Sequence, residues 1–187
     1  DLPEMDPARR VLGVIRPTAE CIGQITHSRH VGILATSGTI SSGSYPLEIR
    51  KLYPDIVVSG EACPMWVPLV ENYEYDSPGA DYFVEKRIGN LLRKDPAIDT
   101  IVLGCTHYPL LLNKILKYTP RNVRIVPQGE YVAYSLKDYL QRHTEIETLC
   151  TQSGTCRFLT TESPDKFMES ASIFLRQHVE AERVVLE

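Results

Sequence analysis

Short β-branched runs alternate with stretches of helical period along most of this chain, the pattern of βα units laid on a mostly parallel sheet. Apolar runs at 11–15, 31–35, 55–58, 100–103 and 123–126 predict strands. Between them the spacing predicts a helix over 17–26, where Pro17 sits in the first turn and its missing N–H costs nothing. Further helices are predicted over 46–52, around Val67, Leu69 and Val70, and over 109–118. The strongest covers 79–94, with Val84, Ile88, Leu91 and Leu92 on one face. The polar stretch 36–43 reads as a βα turn.

Beyond residue 123 the rhythm loosens. A helix over 130–142 aligns Val132, Leu136 and Leu140, and 143–155 reads as an irregular loop. A strand over 157–160, a helix over 164–177 aligning Phe167, Ala171, Phe174 and Leu175, and an edge strand over 184–186 close the chain. The expected fold class is α/β, a mostly parallel sheet flanked by helices. One nearly complete domain is expected over 11–122, with a second segment over 123–187.

Composition narrows the partners. The 187 residues are 43% hydrophobic, ample for a core. The net charge is −4 and Lys and Arg are scattered, which argues against a nucleic-acid surface. No apolar run approaches the ~20 residues of a membrane-spanning helix, and there is no signal-peptide core, so no membrane partner is expected. Five cysteines without framework spacing fit a reducing, cytoplasmic setting. The chain opens at Asp1 without an initiator Met, as a fragment or processed form would.

The densest chemistry lies where the strand over 100–103 ends at Gly104 and hands over to a helix opened by Pro109. Ligands of open α/β sheets bind outside the carboxyl ends of the strands. Cys105 and His107 stand two residues apart there, so in near-extended backbone both side chains point the same way. A neighbouring imidazole and a helix N-terminus favour thiolate chemistry. The plain alternative is a small, packed cysteine beside a capping or exposed histidine. The absence of a paired Cys-x-x-Cys or second histidine at ligand spacing argues against zinc.

Three other features carry two readings each. Thr36, Thr39 and the serines around them form a hydroxyl-rich turn that suits a carboxylate, or simply a helix cap. With no glycine fingerprint and no P-loop lysine, it does not indicate a nucleotide. Glu71 closes the apolar run Trp66-Val-Pro-Leu-Val70, either as a proton-handling carboxylate or as a solvated helix end. Cys63, ahead of Pro64 and near Glu61, reads as packing; Cys21, Cys150 and Cys156 show no partner pattern.

Leu103-Gly-Cys-Thr-His-Tyr-Pro-Leu-Leu111 resembles the second catalytic-cysteine motif of bacterial glutamate racemases. Gly13-Val-Ile-Arg-Pro17 resembles that family's entry to its second domain. Val31-Gly-Ile-Leu-Ala-Thr-Ser-Gly-Thr39 with Ser42-Gly-Ser-Tyr45 resembles its threonine-rich loop. Ala62-Cys-Pro64, Val67-Pro-Leu-Val-Glu71 and Arg157-Phe-Leu-Thr-Thr161 match in the same order. Related aspartate racemases usually carry a glutamate where His107 stands.

The resemblance implies cofactor-independent interconversion of L- and D-glutamate by two cysteines on opposite faces of Cα, with neither pyridoxal phosphate nor metal. It makes Cys105 one acid/base, His107 its assistant and Glu71 a nearby carboxylate. Thr106, Thr36 and Thr39 would hold the substrate. It also implies a small-molecule partner, D-glutamate supply for peptidoglycan, a cytoplasmic enzyme, and the homodimer common in the family. The family's first cysteine lies in a Cys-Asn-Thr run that this sequence lacks, and Thr18 stands where a small residue is usual. The expectation is a racemase without about its first third, inactive by itself in stereoinversion. Readings from other classes are a non-catalytic carboxylate-binding module, acyl transfer by Cys105 and His107, and a racemase for aspartate.

Overall fold

The computed structural model describes residues 2–5, 11–152 and 154–186. They fall into two compact units, 1–138 and 139–187. The first opens with a single turn, α1 (Leu2–Met5), and then α2 (Ile15–Ile25). There follow β1 (His30–Ala35), α3 (Ser37–Ser42), α4 (Ser44–Leu52), β2 (Val57–Ala62), α5 (Trp66–Glu71) and α6 (Pro78–Lys94). β3 (Thr100–Leu103), a 3-10 turn (Tyr108–Leu111), α7 (Leu112–Tyr118) and β4 (Arg124–Pro127) complete it, with α8 (Gln128–Arg142) running across the division.

The four strands are parallel in the order β2-β1-β3-β4, with Val31 beside Val58 and Thr100, and Ile101 beside Ile125. Alternation along β1 decides which helices cover which face. Val31, Ile33 and Ala35 pack with Ala19 and Ile22 of α2 and with Tyr45 and Ile49 of α4. Gly32 turns the other way, toward Leu91 of α6. The sheet is therefore covered on both sides, which is why β1 and β3 read as continuous apolar runs. Each fully buried Ile or Leu of this core, such as Ile101 and Leu103, contributes about 1.5–3 kcal/mol by leaving water.

Local signals set the helix ends. Ser77 accepts from the Ala80 N–H and Pro78 follows it, so α6 starts where its sequence demands. Arg93 and Lys94 close the same helix, favourably for its dipole. At the amino end of β3, Asp99 accepts from Thr26 Oγ1, Thr100 Oγ1 and the backbone of His27 and Ser28. Burial opposes its charge, but these donors win and hold the carboxyl well below the usual range.

Several sequence expectations change. Residues 11–14 form no strand: Val11, Leu12 and Val14 are exposed, no described strand pairs with them, and α2 takes Ile15. The turn over 36–43 is mostly the helix α3. The strand expected over 55–58 lies two residues later and runs to Ala62, because six successive residues pair with β1. Its polar Glu61 is met there by Arg87, Asn90 and Lys94 of α6, which hold that carboxyl low against the opposing effect of burial. β4 hydrogen-bonds to β3 inside the first unit, and the compact division falls after Asp138.

The second unit holds α9 (Thr144–Glu147) within the expected loop, β5 (Phe158–Thr160), α10 (Pro164–Leu175) and β6 (Ala181–Arg183). β5 and β6 pair in parallel, tied by Arg157 and Glu182 at 2.8 Å. The closing strand thus lies three residues ahead of the expected 184–186, where Phe158 finds Ala181 as its partner. Neither α8 nor α10 contains a buried residue. Among the described residues no helix is long and apolar enough to cross a membrane.

Candidate active site

The order β2-β1-β3-β4 means that the chain leaves β1 toward one edge and β3 toward the other. The carboxyl ends of β1 and β3 therefore flank a topological switch point, where an open α/β sheet offers a crevice. Thr36 follows β1 and Cys105 follows the end of β3 at that point. The Gly104 N–H extends the ladder to Leu34 O at 2.8 Å, so Cys105 leaves directly from the sheet. Gly104 has to be small: a Cβ there would lie 3.1 Å from Ala35 Cβ and 3.2 Å from the Tyr45 oxygen.

Cys105, half-buried, faces His107 with Sγ 3.8 Å from Nδ1. The other ring nitrogen, Nε2, lies 2.5 Å from Glu71 Oε1. Thiol, imidazole and carboxylate form one line, with the carboxylate orienting the ring that faces the sulfur. Glu71 comes from the end of α5, and packing places it. Trp66 and Tyr108 meet edge to face with ring centroids 4.7 Å apart, and Tyr108 donates to Cys63 O at 3.2 Å. Trp66 Nε1 also donates to Phe83 O at 3.3 Å, anchoring α5 on α6. The aromatic pair joins α5 to the 3-10 turn after His107.

The sequence candidates separate into two groups. Cys105, His107 and Glu71 are brought together. Thr106 lies between the first two, exposed. Thr36 and Thr39 sit at the correct end of β1 but are engaged with each other. Thr36 Oγ1 caps α3 from the Thr39 N–H at 3.4 Å and lies 3.1 Å from Thr39 Oγ1. Cys63, at the end of β2, is fully buried, and burial with Glu61 nearby pushes its thiol far up, so it keeps its proton.

Three neighbours of the site, Tyr45, Gln128 and Thr18, were not among the site residues expected from the sequence. Tyr45 packs against the Gly104 turn, and Gln128, immediately after β4, hydrogen-bonds to it. Gln128 Nε2 donates as well to Thr18 Oγ1 at 3.0 Å, which gives the unusual Thr18 a role. The rule that picked out Cys105, a polar residue at a strand's carboxyl end, also applies to Gln128 once β4 is known to end at Pro127.

A doubly covered parallel sheet with a thiol, an imidazole and a carboxylate at its switch point defines an α/β domain equipped for proton transfer or nucleophilic chemistry. Residues 10–130 match the model of the Asp/Glu/Hydantoin racemase family, and the chain belongs to that family. It is 35% identical over 167 residues to a glutamate racemase of Thermoanaerobacter sp. (strain X514), covering 89% of this chain and 62% of that protein. A glutamate racemase of Streptococcus equi subsp. equi (strain 4047) is 36% identical over 176 residues, covering 94% and 66%. Among solved structures, a glutamate racemase isoform from Bacillus anthracis superposes with a TM-score of 0.86 at 30% identity, covering 99% of this chain and 69% of that one. The Thermus thermophilus glutamate racemase in complex with beta-chloro-D-alanine gives 0.76 at 30% identity, covering 99% and 67%. The chain spans about three fifths of the length of the first curated relatives it matches.

Proposed function

We propose that this chain carries one proton-transferring face of an enzyme that interconverts L- and D-glutamate in the cytoplasm, supplying D-glutamate for peptidoglycan. The observation that carries the reading is the line Cys105–His107–Glu71 at the switch-point crevice. The relatives named glutamate racemase support the choice of substrate.

The Cα–H of an amino acid is a very weak acid, so the base must be held ready and the developing charge met by fixed donors in a water-poor crevice. The Cys105 thiolate takes the Cα proton: the C–H bond breaks, an S–H bond forms, and the electron pair stays on Cα and its carboxylate. His107 stabilises the thiolate beforehand, and Glu71 holds the ring in place. Return of a proton from the same face restores the starting isomer; delivery to the other face inverts it. Cys63, the other thiol at this end of the sheet, is buried and holds its proton tightly, so it is no candidate for that second step. We assign the opposing acid to a group outside this crevice, and expect the chain alone to exchange the Cα proton without efficient inversion.

Incubation of L-glutamate with this chain in D₂O tests the reading. Deuterium should enter Cα with little D-glutamate formed, and Cys105→Ser should abolish the incorporation. Equal incorporation by the Cys105→Ser chain would overturn the assignment of the base, and rapid formation of D-glutamate would overturn the one-face limit.

A further inference from the structure

Tyr45 is more than a core side chain. Its ring is 3% exposed and packs among Ile33, Ile49 and Val102, a place phenylalanine would fill equally well. Its oxygen has a distinct environment. It lies 3.2 Å from where a Cβ on Gly104 would stand, directly beside the backbone that leads into Cys105. It also meets Gln128, whose Nε2 donates to Thr18 Oγ1 at 3.0 Å.

The direction of these bonds follows from counting hydrogens. The single hydroxyl proton of Thr18 faces Val14 O at 3.3 Å, so Thr18 meets Gln128 as an acceptor and the amide nitrogen must point inward. Gln128 interacts with the Tyr45 oxygen as well and favours its ionised form. Burial is the larger influence and pushes the phenol up to about 12. Tyr45 therefore stays protonated and keeps an O–H to donate.

We propose that Tyr45 is a positioning residue for Cys105: Thr18 and Gln128 orient its buried phenol so that the O–H dipole points toward the Gly104–Cys105 turn and stabilises the thiolate. The inference rests on the reading of Cys105 as the base. An ionised Cys105 in turn disfavours a Tyr45 phenolate, so the two groups lie within electrostatic reach. In a half-buried crevice such an oriented dipole is stronger than in water. The other titratable groups around the sulfur are His107 on its own segment, Glu71 of α5 behind His107, Cys63 after β2 and Tyr108 of the 3-10 turn. Cys63 and Tyr108 are both pushed up by burial and remain neutral, so they supply no competing charge. Glu61, Arg87 and Lys94 form their own cluster beyond Cys63.

The test is residue-resolved alkylation of the full chain by iodoacetamide, read by peptide mass spectrometry across pH. Tyr45→Phe keeps the packed ring and should slow alkylation of Cys105 about three- to tenfold near pH 7, the range of one hydrogen bond. The difference should vanish in mild alkali, above the titration of the thiol and below that of Tyr45, where the thiol is ionised in both proteins, and alkylation of the exposed Cys150 should not change. A purely structural role would slow or speed Cys105 equally at every pH. Gln128→Ala leaves the phenol in place but unoriented, and should give a smaller loss of the same pH-dependent kind; it carries the test if Tyr45→Phe does not fold. Cys105 profiles identical to the wild type in both variants overturn the proposal. Because alkylation needs no glutamate, a failure of the racemase reading in the deuterium experiment leaves this result separately readable.

Discussion

Replacing Glu71 by glutamine keeps an acceptor beside His107 and removes its charge. In the structure Glu71 Oε1 lies 2.5 Å from Nε2, while Nδ1 faces the Cys105 sulfur at 3.8 Å. The carboxylate stabilises an imidazolium, and the imidazolium stabilises the thiolate. An enclosed hydrogen bond between charged groups contributes about 1.5–3 kcal/mol. The His107 and Glu71 side chains are 31% and 54% exposed, so solvent screening reduces this to about 1 kcal/mol. That corresponds to about a fivefold loss in any rate that depends on the thiolate. Alkylation of Cys105 near neutral pH is the assay. Glu71→Gln should be slower by about that factor, and Glu71→Ala at least as slow. In a His107→Ala background the same substitution should add nothing, because the carboxylate acts only through the ring. An unchanged rate, or an equal loss with and without His107, would refute the relay.

Two stability predictions test the scaffold, beside the deuterium and alkylation experiments already described. Gly32→Ala places a Cβ 2.7 Å from Leu91 Cδ2, 3.2 Å from Ile101 Cγ1 and 3.3 Å from Ile98 Cδ1. This overpacking should cost about 1–3 kcal/mol and lower Tm by about 2–12 °C in a circular-dichroism melt; an unchanged Tm would show that α6 yields freely. Asp99 is held below its unfolded value by its donors, so it adds stability above about pH 4 that is lost as the pH falls through its folded value. Urea titrations should therefore show the wild type weakening below about pH 4. Asp99→Asn should be weaker at neutral pH with a shallower acid slope, and equal slopes in the two proteins would rule out this carboxyl as a source of the acid sensitivity.

Legibility followed the range of the forces involved. The strand over 100–103 and the helix over 79–94 were readable because apolar period, Ser77-Pro78 and the basic helix end are local signals. The strand expected over 11–15 failed because an apolar run does not reveal whether a strand lies beside it, and none does among the described residues. Only the start of β2 is legible, because Ser59, Gly60 and Glu61 do not look like a strand. Pairing with β1 and the cations of α6 make that segment one.

The site divides in the same way. Cys105 and His107 are two residues apart, so their place at the end of a strand, the glycine before them and the proline after are written in consecutive positions. Family membership could be read from that run and its flanking matches. The tertiary structure alone decided that Glu71 meets His107 across 36 positions, that Thr36 and Thr39 cap a helix, and that Tyr45, Gln128 and Thr18 converge behind Gly104. The reason is physical. Turn and helix signals act through neighbouring backbone, whereas the approach of Glu71 depends on Trp66 packing against Tyr108, and that contact exists only once the parallel sheet has brought the carboxyl ends of β2 and β3 to the same end.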